Sequence, residues 1–580
     1  MYKANKRHLQ PMLISNVQDL PEKHQQRLDQ SWAGVFYRET FCRLKEEPFA
    51  VLYKDTPSRP NIPVNVLIGL DTLKSGFGWS DEELYDHYMF DLQVRYALGY
   101  HNLNEGEFDV RTLYNFRQRL SHYNQAHGVN LLVAAFEDIT DQQINHLKVQ
   151  TGLQRMDSTQ IASNIMDMSR LQLLVEAIQR LYRILSEADQ QIYAEEFRPY
   201  VKNSSGQYVY RIKGKEETHR NIQQVGESMV RMLKALNDGY GAEPVFQVFQ
   251  RFFDENFHLE AQVVKAKENT EISAGCLQSC DDLEASFRRK AQREFRGYVA
   301  NVAETCDPSN ACQLITKIQV APNRTEDSDL MIAALPDLKE RTDLLTLHTD
   351  GGYSSPEADQ ALQKEQIEQI PTAITGSRPV QDKFGLAAYR FQIDEQDIPT
   401  QMTCPHQQVA LIHWSLHKKC LVADFEPAQC ETCPFHISGQ CRAKPGKRDR
   451  RYHLDFTLHE SEVARRRQAM DRQKESGKNM RVAIEATMRT IKHPFPAGKL
   501  PVRGLFRVTC LMVGSALMNN VRSILRYENR KSDQERAQLA SQKRKNSSKR
   551  SALGHFLSFF RHPFLAFTQP FAMDAPSVSC

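Results

Sequence analysis

Leu344-Leu345-Thr346-Leu347-His348-Thr349-Asp350-Gly351-Gly352-Tyr353 is the stretch on which the reading of the fold turns. A short apolar run bounded by turn residues reads as a buried strand. The glycine pair turns the chain as soon as the strand ends. Asp350 therefore stands at a strand end, on a rigid support. Met156-Asp157-Ser158-Thr159-Gln160 repeats that context, with a strand-like segment, Asn145 to Leu153, leading into it. Carboxylates at the ends of strands in one sheet can converge on a point although they lie far apart in sequence. A third acid, Glu485, falls within the helical pattern Asn479-Met480-Arg481-Val482-Ala483-Ile484-Glu485-Ala486-Thr487-Met488-Arg489, where Ile484 and Met488 form the apolar face.

Between these acids the periodicity alternates. A long stretch over 168–270 is helical, with a turn signal at Asn203-Ser204-Ser205-Gly206. Strand character returns at Gly297–Val302 and Cys312–Val320, a helix is expected over 327–339, and a further strand-like run spans Ile370 to Thr375. From about 458 to 526 the pattern is helical again. This order describes a mixed α/β core with a large helical insertion.

Ahead of the core, Pro63 opens a helix that ends at Gly76. Ser80-Asp81-Glu82-Glu83 is a capping box, in which the Ser and Glu side chains satisfy each other's orphan amides. The helix it opens runs towards Leu98, with Gly99 as its stop. Asp109 starts a third helix with Leu113, Phe116 and Leu120 on one face and Arg111, Asn115, Arg117 and Arg119 on the other. Three short helices with a basic last one fit either a helix-turn-helix reader of the major groove or a plain bundle with an Arg-rich face.

The chain has 580 residues, 41% apolar and 25% charged, ample for a sizeable core and for two to four domains. The net charge of +4 excludes little, but its distribution is uneven. Residues 442–503 carry 17 Lys and Arg against 7 Asp and Glu, and residues 530–550 carry 8 against 2. Basic blocks of this kind suit a polyanion. No apolar run follows Met1–Arg7, and the most apolar segment, Val508 to Val521, is short for a membrane span. A cytoplasmic, nucleoid-associated protein without a membrane contact is expected. Its 12 cysteines are too sparse for a secreted disulfide scaffold. Cys404, Cys420, Cys430, Cys433 and Cys441 cluster as metal ligands do.

In-line attack on a DNA phosphodiester needs charge stabilisation on both the attacking and the leaving oxygen. Two divalent ions about 3.5–4 Å apart supply it. Mg²⁺, or Mn²⁺ in its place, takes carboxylate oxygens, so three acids from separate elements suit the need. On this reading Asp157 bridges both ions, and Asp350 and Glu485 each hold one.

The same motifs resemble, in the same order, those of bacterial insertion-sequence transposases of the DDE type. Gly78-Trp79-Ser80-Asp81-Glu82-Glu83-Leu84 and Thr112–Leu120 resemble the family's N-terminal DNA-binding region. Met156-Asp157-Ser158-Thr159 and Asp350-Gly351-Gly352-Tyr353 resemble its first two acid motifs, and Gly297–Glu304 the strand after its insertion. Its third motif spaces a Tyr, an Arg, a Glu and a Lys. Arg481, Glu485 and Lys492 stand at that spacing, and Lys478 replaces the Tyr. Arg503-Gly504-Leu505 and Asn519-Asn520-Val521-Arg522 fit its downstream helices. The resemblance implies a ribonuclease H-like catalytic core with a large helical insertion, preceded by an all-α helix-turn-helix-like domain. It implies strand cleavage and transfer at the ends of the chain's own element. A nuclease of the same fold, or an inactive descendant that only binds DNA, is the alternative.

Arg481 and Lys492 are expected to grip phosphates, and Arg111, Asn115, Arg117 and Arg119 to read base edges. Cys404, Cys430, Cys433 and Cys441, matching the cysteines of this transposase subgroup, are the expected structural zinc ligands. Cys420 competes for the first place, and His406, His413, His417 and His436 are possible substitutes. The partner is double-stranded DNA, held by a homodimer or higher oligomer. The expected division is a leader (1–45), a helical DNA-binding domain (46–125), the core (145–167 and 271–400), the helical insertion (168–270), a cysteine-rich zinc-binding insertion (401–445), the C-terminal part of the core (446–527) and a basic tail (528–580).

Overall fold

The computed structural model describes residues 2–10, 15–54, 61–201, 214–260, 263–290, 292–371, 383–446, 450–475, 480 and 482–559. They divide into two compact units, Met1–Ser523 and Ile524–Cys580.

In the first unit two short helices, Glu22–Asp29 and Trp32–Phe36, are followed by five more: α1 (Val64–Phe77), α2 (Asp81–Phe90), α3 (Leu92–Ala97), α4 (Arg111–His127) and α5 (Leu131–Leu147). α1 is largely apolar and buried on almost every side. The Ser80–Glu83 capping box forms as read. The single helix expected to run on to Leu98 breaks at Asp91, whose carboxylate accepts from Gln93 N–H (2.8 Å) and caps α3. The residues expected as a leader fold with these helices. Ala33, Val35, Phe36 and Phe41 are buried, and Glu46 accepts from the amides of Asn5 (2.7 Å) and Val64 (2.9 Å).

The strand expected from Asn145 starts later. Residues up to Leu147 finish α5, whose apolar face packs inward, and Lys148 in the left-handed region ends it. β1 then runs Leu153–Ile161. It is the centre of a sheet with β4 (Ser286–Lys290), β5 (Arg293–Thr305), β6 (Ile315–Pro322), β7 (Thr346–Thr349) and β8 (Glu368–Pro371). The order is β4-β5-β1-β7-β8, with β6 also on β5. β5 is antiparallel to β1 and β6, whereas β7 is parallel to β1 and β8. α9 (Asp327–Arg341) and α10 (Pro356–Lys364) cover the sheet through Met331, Leu335, Leu338 and Leu362. Residues 372–375 of the last expected strand, and the turn at 203–206, lie outside the described residues.

The segment expected as all helix between β1 and β4 contains α6 (Arg170–Ile184), α7 (Gly214–Tyr240) and α8 (Pro244–Asn256) around their own apolar core. It ends in a hairpin of β2 (Phe257–Glu260) and β3 (Val263–Ala266) that the helical reading missed. A second sheet is inserted after β8: β9 (Arg390–Ile393), β10 (Pro399–Thr403), β11 (Val409–Ser415), β12 (Cys420–Phe425), β13 (Lys444–Pro445) and β14 (Tyr452–Phe456). This body is wider than the cysteine-rich segment 401–445 expected, because β9 and β14 on either side complete its ladder.

α11 (Leu458–Glu475), α12 (Val482–Lys492) and α13 (Leu505–Phe559) follow. The residues expected as a basic tail are thus helical as far as Phe559. By length and composition Leu505–Ser541 could cross a membrane, which the shorter apolar run did not suggest. However, 78% of its apolar window is buried inside the protein, as in the core helix of a globular fold. Within the first unit, small residues let α13 approach α1. A Cβ on Gly514 would meet the Ser75 side chain, and one on Gly76 would meet Met518. Ser515 Oγ donates to Ser75 O (3.1 Å).

Gly78 closes α1 in the left-handed region (φ +74°), its N–H donating to Lys74 O (2.8 Å). A Cβ there would stand 1.9 Å from Pro494 O. Gly78→Ala should therefore cost roughly 2 kcal/mol or more, combining the left-handed penalty with a backbone collision. Urea unfolding checks this; a variant as stable as the parent would mean that the turn relaxes without penalty.

Candidate active site and cysteine cluster

Asp157 and Asp350 are brought level by strand register. Arg155 pairs with His348 across the parallel β1–β7 ladder. Each aspartate lies two residues beyond that pair, Asp157 within β1 and Asp350 just past the end of β7, and the two strands run about 4.8 Å apart. Asp157 is buried and accepts from Ser158 N–H (2.9 Å). Asp350 caps the turn after β7, accepting from Gly352 N–H (2.8 Å). Below them Tyr353 is fully buried and donates to Asn301 Oδ1 (2.7 Å). Burial, then the charges of Asp327, Asp157 and Asp350, pushes its phenol well above the usual tyrosine range.

Asp327 was missed in the sequence, where it reads as ordinary first-turn acid on a helix. It is buried beside Asp350: a Cβ on Gly352 would lie 3.1 Å from Asp350 Oδ1 and 3.2 Å from Asp327 Oδ2. Gly352 thus leaves room for two carboxylates.

Glu485 is exposed on α12, whose buried face is Ile484, Met488 and Ile491. Two ties hold α12 along β1. Arg155 Nη1 donates to Met480 O (2.9 Å). Lys492 Nζ donates to Thr159 Oγ1 (3.0 Å) and Gln160 O (3.1 Å). Glu485 lies between the tie points on the helix side, as Asp157 does on the strand. The donors are hard oxygens suited to Mg²⁺, and the two aspartates share one neighbourhood. Among the described residues, however, no three His, Cys, Asp or Glu side chains are close enough to form a finished metal cage.

The cations expected to meet DNA divide sharply. Lys492 is committed to β1 and half-buried, and burial lowers its ammonium below the usual lysine value. Arg481 lies outside the described residues. Arg117, expected to read base edges, bonds Asp71 Oδ1 through Nε (2.8 Å) and Asp81 Oδ1 through Nη1 (2.8 Å). Arg119 stacks on Tyr53, 4.6 Å from the ring centre, and donates to Asn115 O (3.2 Å). Arg111 and Asn115 remain exposed.

In the inserted sheet, Cys404 follows β10, Cys430 lies in a short helix (Pro427–Glu431), Cys433 stands at the start of the next (Pro434–Ile437), and Cys441 precedes β13. Burial, then Cys441, Cys404 and Cys433, pushes the Cys430 thiol up to about 12. These four therefore share one neighbourhood. Gln408 joins two of them: its N–H donates to Cys404 Sγ (3.4 Å) and its Oε1 accepts from Cys430 Sγ (3.5 Å). Cys420 on β12 interacts instead with Asp455, Lys418 and Glu460. His413 faces Asp424 (3.5 Å) and His436 packs edge-on against Tyr452.

A family model described as "Transposase DDE domain" matches residues 403–525, well under half of the chain. The match covers the inserted sheet from β11 onward, α11, α12 and the start of α13, and it supports a DDE transposase, a class of nucleases and phosphoryl-transfer enzymes. No curated protein and no solved structure matches.

Arg117, Asp71 and Asp81 are each less than a third exposed. Arg117→Ala would strip Asp71 of its cation, while Lys74 Nζ would still pair with Asp81 (2.6 Å). Its cost should fall between the ~1 kcal/mol of a surface pair and the ~3–5 kcal/mol of a broken buried one. Thermal unfolding measures it; an unchanged midpoint would return Arg117 to the pool of side chains available to DNA.

Proposed function

We propose that this protein is an insertion-sequence transposase that cleaves and transfers DNA strands at the ends of its own element. The observation that carries the reading is that Asp157 and Asp350 each follow the paired residues Arg155 and His348 by two positions, while the helix that bears Glu485 packs on β1 and lies inside the family match. The strand order, with one antiparallel pair flanking β1 and parallel strands beyond it, supports a ribonuclease H-like core. Asp157, Asp350 and Glu485 would hold divalent ions. When bound, Mg²⁺ or Mn²⁺ would stabilise charge on the attacking and leaving oxygens. The chain's own residues aim the carboxylates: Gly352 N–H orients Asp350, Ser158 N–H orients Asp157, and the ties at Met480 and Lys492 carry α12. The helices around α4 would contact DNA, with Arg111 and Asn115 the exposed candidates for base edges. Joining two element ends calls for at least two copies of the chain. Work on bacterial DNA would put the protein in the cytoplasm, at the nucleoid.

Asp157→Asn, Asp350→Asn and Glu485→Gln each remove one charged donor and almost no volume. Each should abolish Mg²⁺-dependent nicking of DNA while leaving DNA binding within about threefold, a shift of less than ~1 kcal/mol. A variant that nicks at the parental rate would remove its residue from the site.

Cys404, Cys430, Cys433 and Cys441 would together hold one structural zinc, the four-thiolate arrangement of closed sites. Elemental analysis of freshly reduced protein should find about one zinc per chain. Cys430→Ser should lose it and Cys420→Ser should keep it. No zinc in the parent would leave the four as plain thiols.

A further inference from the structure

The catalytic sheet contains a buried ion pair that the chemistry above does not use. Arg155 and Glu304 are register partners on β1 and β5, with side chains 8% and 5% exposed. Arg155 donates from Nε (2.9 Å) and Nη2 (2.7 Å) to Glu304 Oε2. Each partner has a second bond, and both second bonds go to the Glu485 segment. Arg155 Nη1 reaches Met480 O (2.9 Å). Glu304 accepts from Thr487 Oγ1 at both oxygens (2.9 and 3.1 Å).

A buried ion pair is a poor way to add stability, because desolvation offsets most of its attraction and well-packed apolar residues often do as well. Direction is what it adds. Apolar packing lets a helix slide or roll by a fraction of a turn. Hydrogen bonds at residues 480 and 487, which bracket Glu485, fix both its height along β1 and its rotation. Arg155 lies two residues before Asp157 on the same face of β1, so strand acid and helix acid are referred to one anchor.

We propose that Arg155, Glu304 and Thr487 form a clamp that positions Glu485 against Asp157 for divalent-ion binding. The inference rests on the reading of Glu485 as a metal-holding carboxylate. Its three members are positioning residues, touching neither DNA nor ion.

Thr487→Val tests the clamp with least risk to the fold, since it keeps the volume and removes one hydroxyl. The full chain is assayed for nicking of supercoiled plasmid across a Mg²⁺ series, and for Mn²⁺ binding by electron paramagnetic resonance. Both midpoints should rise by about tenfold or more, the usual consequence of losing an outer partner of a metal ligand. The plasmid KM should stay unchanged. Thr487→Ser, which restores the hydroxyl, should bring both midpoints back. A purely structural role would lower the melting temperature and the saturating rate and leave the midpoints in place, which overturns the clamp. Glu485→Gln is run in parallel. If it nicks normally, the reading of the site fails and the clamp with it. If it is inactive while Thr487→Val keeps the parental midpoints, the clamp alone fails.

Discussion

The ladders on either side of β1 are the constraint on which the rest depends. An antiparallel neighbour, β5, and a parallel one, β7, satisfy its backbone groups on both edges. A central strand cannot shift by one residue without turning every side chain to the opposite face. That rigidity lets Asp157 keep its level with Asp350 although the whole helical insertion intervenes. The insertion builds its own apolar core and so adds mass without straining the sheet. The second sheet does the same after β8. Both excursions leave and re-enter the core where α12 and β5 must still meet β1.

The N-terminal helices are tied to that core by close backbone approach. α1 is largely apolar and nearly all buried, with Asp71 and Lys74 ion-paired at its surface. α13 covers it in the first unit, where Ser75 and Gly76 face Gly514, Ser515 and Met518. A helix crossing made of small residues gains dispersion over a long contact and tolerates little enlargement. Regions that read as leader, helical domain and C-terminal core therefore pack as one body. The apolar composition of α13 has the same origin: it fills a protein interior.

Charge follows a similar logic. Side chains that look alike along α4 have different surroundings. Arg117 points at two acids from α1 and α2, Arg119 lies on a tyrosine, and Arg111 and Asn115 face water. Lys492, seven residues from Glu485, turns inward to β1. A basic count along a helix measures capacity for a polyanion. Which cations are free for one depends on the acids that other elements bring alongside.

The sequence by itself determined the elements and the acid motifs, because each is encoded locally. The run Leu344–Thr349 ahead of Asp-Gly-Gly, the Ser80–Glu83 box and the apolar spacing around Glu485 all act within a few residues. The four-cysteine neighbourhood was partly legible from clustering, but setting Cys420 apart from Cys404 required the fold of the inserted sheet. Boundaries slipped where local signals were ambiguous, as at Asn145, where the end of α5 resembles a strand, and at Asp91, where one side chain splits a helix. Only tertiary structure decided that Asp157 and Asp350 stand level, that Asp327 joins them, and that Arg155 and Glu304 grip the helix of Glu485. Those relations join strands and helices from distant parts of the chain. They are set by register and burial, which no local pattern encodes.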